Sequence, residues 1–113
     1  MNLSTSHEGS VAVVTVTESR LTYPLLGEFS SVVTGLIGAG ERRIVVDLST
    51  VAYVDSATIG CLMDLYRQAL AAGGALKLAG VQKRVETMLT MTGAQNFLEV
   101  HGDRASALAS FGR

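Results

Sequence analysis

Hydrophobic residues in this chain alternate between two spacings, and each spacing predicts a different element. Val11-Ala12-Val13-Val14-Thr15-Val16-Thr17 is rich in β-branched side chains and predicts a strand. Glu18-Ser19 offers turn chemistry before Arg20-Leu21-Thr22, a short return strand that would pair antiparallel with the first at a sheet edge. Pro24 suits the first turn of a helix, with Thr22 or Tyr23 at its cap. Leu25, Phe29, Val32, Val33, Leu36 and Ile37 then fall on one helical face, and Gly38 and Gly40 end it. Arg43-Ile44-Val45-Val46-Asp47-Leu48 is a nearly continuous apolar run, the pattern of a central strand covered on both faces of a parallel sheet.

The alternation continues to the end of the chain. Ile59, Leu62, Met63, Tyr66, Ala69 and Leu70 predict a helix over 57–72, stopped by Gly73-Gly74. Ala75 to Gly80 reads as a strand, and Val81 to Met91 as a helix that Gly93 closes, with Val85, Met88, Leu89 and Thr92 on one side. Phe97-Leu98-Glu99-Val100 reads as a short last strand. Asp103 caps a final helix presenting Ala105, Leu108, Ala109 and Phe111. Residues 1–10 carry Ser4, Thr5, Ser6, Gly9 and Ser10 without periodicity, which predicts a flexible lead-in before one domain over 11–113. The order β-β-α-β-α-β-α-β-α predicts a single α/β domain, a mixed and mostly parallel sheet of four to five strands with about four helices.

In open α/β sheets, sites lie beyond the carboxyl ends of the strands. The stretch Asp47-Leu48-Ser49-Thr50-Val51-Ala52-Tyr53-Val54-Asp55-Ser56-Ala57-Thr58-Ile59-Gly60 occupies such an end, where a strand runs towards a helix through an acid and two hydroxyls. Asp and Ser are both preferred helix N-caps, so capping accounts for Asp55 and Ser56 as readily as a functional site does.

Composition narrows the alternatives. With 113 residues, 48% of them hydrophobic and 17% charged, the chain suits one compact core, and its apolar runs are broken too often for a membrane span. A net charge of −1 with scattered Lys and Arg argues against nucleic-acid binding, which needs a clustered basic face. Cys61 is the sole cysteine, so an internal disulfide or a multi-cysteine zinc site is excluded. The first 20 residues lack a basic start followed by an apolar run, and a cytoplasmic location is expected.

The enzymatic readings lack parts. Val54-Asp55-Ser56-Ala57-Thr58 is not the G-x-S-x-G elbow of hydrolases, and only His7 and His101 could serve Ser56 as a base. Neither G-x-x-x-x-G-K-[ST] nor G-x-G-x-x-G occurs; Gly35, Gly38, Gly40, Gly73 and Gly74 lie near helix ends. Asp47 and Asp55 are too few for a dedicated cation site, and Cys61 reads as a packing residue. No cofactor, no metal and no catalytic residue is expected.

The junction resembles the STAS domain of bacterial anti-sigma factor antagonists. That family shows an apolar strand ending near an Asp, a loop, then D-S-[ST]-G-[LI]-G opening a helix, where this chain has Asp55-Ser56-Ala57-Thr58-Ile59-Gly60. The resemblance continues through Ala72 to Val81 and Val85 to Gly93, and spans roughly residues 11 to 111. It implies that Ser56 is phosphorylated by an anti-sigma factor that is also a serine kinase. The unmodified form would bind that partner and free a sigma factor; a PP2C-type phosphatase would restore it. Asp55, Ser56, Ala57, Thr58 and Thr22 are the implied partner-binding residues, in a monomer or weak dimer.

Two departures stand out. Thr58 replaces the first glycine of that motif, and Arg20-Leu21-Thr22 stands where many members have Gly-Glu-Leu-Asp. A β-branched residue lacks glycine's freedom and its room for close approach, so docking could differ, and Thr58 becomes a second candidate phosphoacceptor. The competing reading is a constitutive STAS scaffold subunit, such as the small component of a lipid-transport ATPase.

Overall fold

The computed structural model describes residues 1–112; Arg113, the end of the expected domain, lies outside the described residues. In chain order the elements are β1 (Leu3–Glu8), β2 (Val11–Val16), β3 (Arg20–Leu21), a 3-10 turn (Tyr23–Leu25) running into α1 (Leu26–Gly38), β4 (Arg43–Asp47), β5 (Tyr53–Val54), α2 (Ser56–Ala71), β6 (Ala75–Ala79), α3 (Lys83–Thr92), a second 3-10 turn (Ala94–Asn96), β7 (Glu99–His101) and α4 (Arg104–Ala109). Five strands pair in the order β1-β2-β4-β6-β7, antiparallel between β1 and β2 and parallel elsewhere. This is the expected α/β architecture of a mostly parallel sheet and four helices.

Side chains alternate across a strand, so the continuous apolar run of β4 serves both faces of the sheet. On one face Val14, Val16, Ile44, Val46, Leu76 and Leu78 pack with Phe29 and Val33 of α1, Leu62 and Leu65 of α2, and Val85 and Leu89 of α3. On the other, Val11, Val13, Val45 and Ala79 meet Ala107, Leu108 and Phe111 at α4. Asp47 falls on this second face and is only 6% exposed. Its Oδ2 accepts bonds from Arg104 Nε at 3.0 Å and Nη2 at 2.9 Å, and its Oδ1 accepts the Ser49 amide at 2.9 Å. Burial pushes the Asp47 carboxyl up, but the Ser49 and Arg104 bonds outweigh it and hold the group below the ordinary carboxylate value. Arg104 Nη2 also donates to Thr15 Oγ1 at 2.9 Å, so the start of α4 is tied to two central strands.

The expected flexible lead-in is a strand. All six residues of β1 pair with β2, from Leu3 opposite Val16 to Glu8 opposite Val11. Gly9-Ser10 forms the two-residue turn, with positive φ only at Gly9, the arrangement of a type II′ hairpin. β1 showed no hydrophobic period because five of its six residues are exposed; backbone hydrogen bonds hold it rather than buried side chains.

Residues 20–22 are therefore not the return strand of β2. β3 pairs parallel with β5 in a separate two-stranded sheet, Arg20 opposite Tyr53 and Leu21 opposite Val54. Smaller shifts follow from local geometry: Pro24 sits in a 3-10 turn ahead of α1, and β7 begins at Glu99 after a 3-10 turn. In α4 it is Ala107 that is buried, while Ala105 and Ala109 are exposed.

Deleting residues 1–8 should lower the thermal unfolding midpoint, because it strips β2 of its antiparallel partner and opens its backbone edge to solvent. A truncated protein that melts with the full chain would restore the lead-in reading.

Candidate functional site

β5 ends at Val54 and α2 begins at Ser56, so Asp55 alone spans the junction. Its extended backbone, φ −102° and ψ 176°, makes it the N-cap of α2. Oδ1 accepts the Thr58 amide at 2.9 Å and the Thr58 hydroxyl at 2.7 Å; Oδ2 accepts the Tyr23 amide at 3.0 Å. Partial desolvation pulls the Asp55 carboxyl up, yet the Thr58 hydroxyl and the Tyr23 and Thr58 amides prevail and hold it below the ordinary range.

Thr58 is fully buried. Its hydroxyl lies 2.7 Å from the Leu21 carbonyl oxygen as well as 2.7 Å from Asp55 Oδ1, so one proton faces two acceptors. This overturns the expectation of Thr58 as a surface residue. A hydroxyl with no exposure and two acceptors cannot receive a phosphoryl group or touch a partner without the helix opening. The two stretches that depart from the family pattern are thus in contact: Thr58 supplies a donor to the backbone of the Arg20-Leu21-Thr22 corner.

Ser56 takes no part in this network. It is exposed at the first position of α2, beside the exposed Ala57, and its hydroxyl bonds no other described residue. The three polar residues of the motif therefore divide their roles: Asp55 caps, Thr58 ties and Ser56 faces solvent. Thr22 is half-buried at the N-cap of the 3-10 turn, where its carbonyl accepts the Leu25 amide at 2.9 Å and its side chain makes no capping bond.

Tyr23, held beside Asp55 by its amide, is 72% exposed, and sequence reading assigned it only a possible cap. The signal it carried was an aromatic placed next to a proline in a polar corner. His7 Nε2 pairs with Glu41 at 2.6 Å and His101 bonds Glu99, so neither ring is engaged with Ser56. Asp47 and Asp55 belong to separate networks, one with Arg104 and one with Tyr23 and Thr58. Burial and the neighbouring Asp64 push the Cys61 thiol up, as for a packing residue.

Comparison with known proteins places this geometry. The STAS domain model matches residues 2–107, and the chain belongs to that family. An anti-sigma-factor antagonist (STAS) domain protein from Planctomyces limnophilus superimposes with a TM-score of 0.88 at 18% identity, covering 98% of this chain and 98% of that one. The Bacillus cell fate determinant SpoIIAA, in its phosphorylated form, gives 0.75 at 12% identity over 97% of this chain and 99% of its own. Part of murine Solute Carrier 26 family member A9, an anion transporter, gives 0.78 at 19% identity, covering 93% of this chain and 18% of the transporter. At these identities the likeness establishes the fold. Among the described residues, no helix is long and apolar enough to cross a membrane.

Thr58→Val keeps the shape of the side chain and removes the hydroxyl, leaving the Leu21 carbonyl without its donor. A loss of about 1–3 kcal/mol at pH 7 is expected in urea denaturation. Because the folded pKa of Asp55 is lowered, its bonds stabilise the fold above the ordinary value of 3.8 and are lost as pH falls through the lower folded value. The deficit of Thr58→Val should therefore shrink in acid; a pH-independent deficit would mean that the hydroxyl does not act on Asp55.

Proposed function

We propose that this chain is an anti-sigma factor antagonist, a binding module whose Ser56 is phosphorylated by an anti-sigma factor with serine kinase activity. The observation that carries the reading is the division of roles at the junction. Asp55 and Thr58 fix the turn between them, so Ser56 is spared for a purpose other than holding the fold. An exposed hydroxyl at the first residue of a 16-residue helix can be modified without rearrangement.

The chemistry follows from the same geometry. The Ser56 oxygen attacks the γ-phosphorus of ATP held by the kinase, the bond to the leaving ADP oxygen breaks, and the serine proton passes to a base. Asp55, with its pKa depressed and both oxygens already accepting bonds, is a poor base, so the kinase supplies one. The new phosphate adds about −1.5 to −2 charges at a helix N-terminus, which favours anions, so α2 stays folded. What changes is the surface formed by Ser56, Ala57 and Tyr23, all exposed. A partner fitted to a neutral hydroxyl and an aromatic anchor meets a dianion beside Asp55 and dissociates, releasing the anti-sigma factor to rebind its sigma factor. A PP2C-type phosphatase reverses the step by hydrolysis.

The second reading, a constitutive scaffold subunit of a lipid-transport ATPase, draws support from the likeness to a transporter's domain. It requires no phosphoryl transfer, and this separates the two. Incubation with the kinase and ATP should add one phosphate, mapped to Ser56 in the peptide spanning the junction. An unmodified protein would favour the scaffold.

Ser56→Ala should bind the anti-sigma factor as the wild type does and melt at nearly the same temperature, since Asp55 and not Ser56 is the cap. Ser56→Asp should bind at least about tenfold more weakly, ~1.4 kcal/mol, with an unchanged melt. Equal affinities in calorimetry would count against a charge-operated switch.

A further inference from the structure

The residue that opens β3 and the residue that opens β5 are register partners, Arg20 and Tyr53. The Arg20 guanidinium stacks over the Tyr53 ring at 4.3 Å from its centroid, and the Arg84 guanidinium, from the first turn of α3, lies 6.0 Å from the same centroid. One aromatic ring thus gathers two cations from elements 64 positions apart in sequence. They lie no more than about 10 Å from each other, close enough for one acidic patch to meet both.

Nothing among the described residues neutralises this pair. Both arginines are exposed, and among the described residues neither forms an ion pair. Asp55, the acid nearest in sequence to Tyr53, has both oxygens occupied by Thr58 and Tyr23. Glu86 follows Arg84 by two positions on α3, a spacing at which helical side chains point apart. The exposed Lys83 adds a third positive charge at the start of α3, whose N-terminus already carries a partial positive charge. Two exposed guanidinium groups gathered on one ring present a shared positive surface, and guanidinium is the group best shaped to take a carboxylate in two parallel bonds.

We propose that Arg20 and Arg84, organised on Tyr53, form the electrostatic half of the docking surface and engage a carboxylate-bearing patch on the protein partner. The proposal rests on the partner-switching reading, because Tyr53, which both arginines contact, lies three residues before Ser56. Arg20 and Arg84 make this part of the surface positive, so the matching surface of the partner should be acidic.

The test uses full-length protein and the anti-sigma factor, titrated calorimetrically at low and high salt. Wild-type affinity should fall as salt rises. The double variant Arg20→Glu with Arg84→Glu should bind at least tenfold more weakly at low salt and lose most of the salt dependence, and Arg20→Gln with Arg84→Gln should fall between them. Thermal melts should fall by no more than a few degrees, the cost of the lost contacts with Tyr53; if the Glu pair fails to fold, the Gln pair decides. Wild-type affinity and salt slope retained in a folded double variant would overturn the docking role while leaving Ser56 phosphorylation standing. A wild-type protein that neither binds the anti-sigma factor nor is phosphorylated would remove the partner-switching reading and this proposal with it.

Discussion

A single buried hydroxyl sets the geometry on which the rest depends. Thr58 Oγ1 sits with no exposure between the carbonyl of Leu21 and the carboxylate of Asp55. In that dry position an acceptor without a donor is expensive, whereas a satisfied one fixes direction. The same carboxylate takes the amides of Thr58 and Tyr23, so the first turn of α2 and the corner after β3 are held as one body. The small β3–β5 sheet, through its paired Leu21 and Val54, anchors that body in the main core.

Under the proposed function, this rigidity is what would let a charge placed at Ser56 act as a switch. Asp55 and Thr58 hold the junction through their hydrogen bonds, whereas Ser56 sits exposed at the helix start. Charge added there changes what the surface presents without having to be transmitted through the core. The loop between β4 and β5 is equally restrained: Thr50 donates to the Val16 carbonyl at 2.8 Å, Gln82 to the Ser49 carbonyl at 2.7 Å, and a Cβ at Gly80 would come within 2.8 Å of the Ser49 side chain. The site is therefore pre-formed.

The alternation of elements was legible because burial on two sheet faces leaves a period in the sequence. The continuous run at β4 and the helical stripes of α1, α2 and α3 each follow from one apolar contact surface. β1 was not legible by that signal, since its side chains are exposed and its partners are backbone atoms. The Gly9-Ser10 dipeptide before a valine-rich strand was the available clue, as a two-residue hairpin turn. At the site, Asp55 and Ser56 were legible as a pair, but not which of them caps, because either side chain can. Thr58 was misread for a related reason. Its acceptor is a backbone carbonyl 37 residues away, and a backbone carbonyl has no signature in sequence. The gathering of Arg20 and Arg84 on Tyr53 depends on three elements meeting, which no local pattern records.

The central claim is that modification of one spared hydroxyl changes binding and leaves the fold alone. It is tested most directly on protein phosphorylated stoichiometrically at Ser56, by measuring its affinity for the anti-sigma factor alongside amide hydrogen exchange through the first turn of α2. The account predicts affinity reduced at least tenfold, about 1.4 kcal/mol, with exchange protection at Thr58 and Ile59 preserved. Unchanged affinity, or weakened affinity accompanied by loss of that protection, would contradict it.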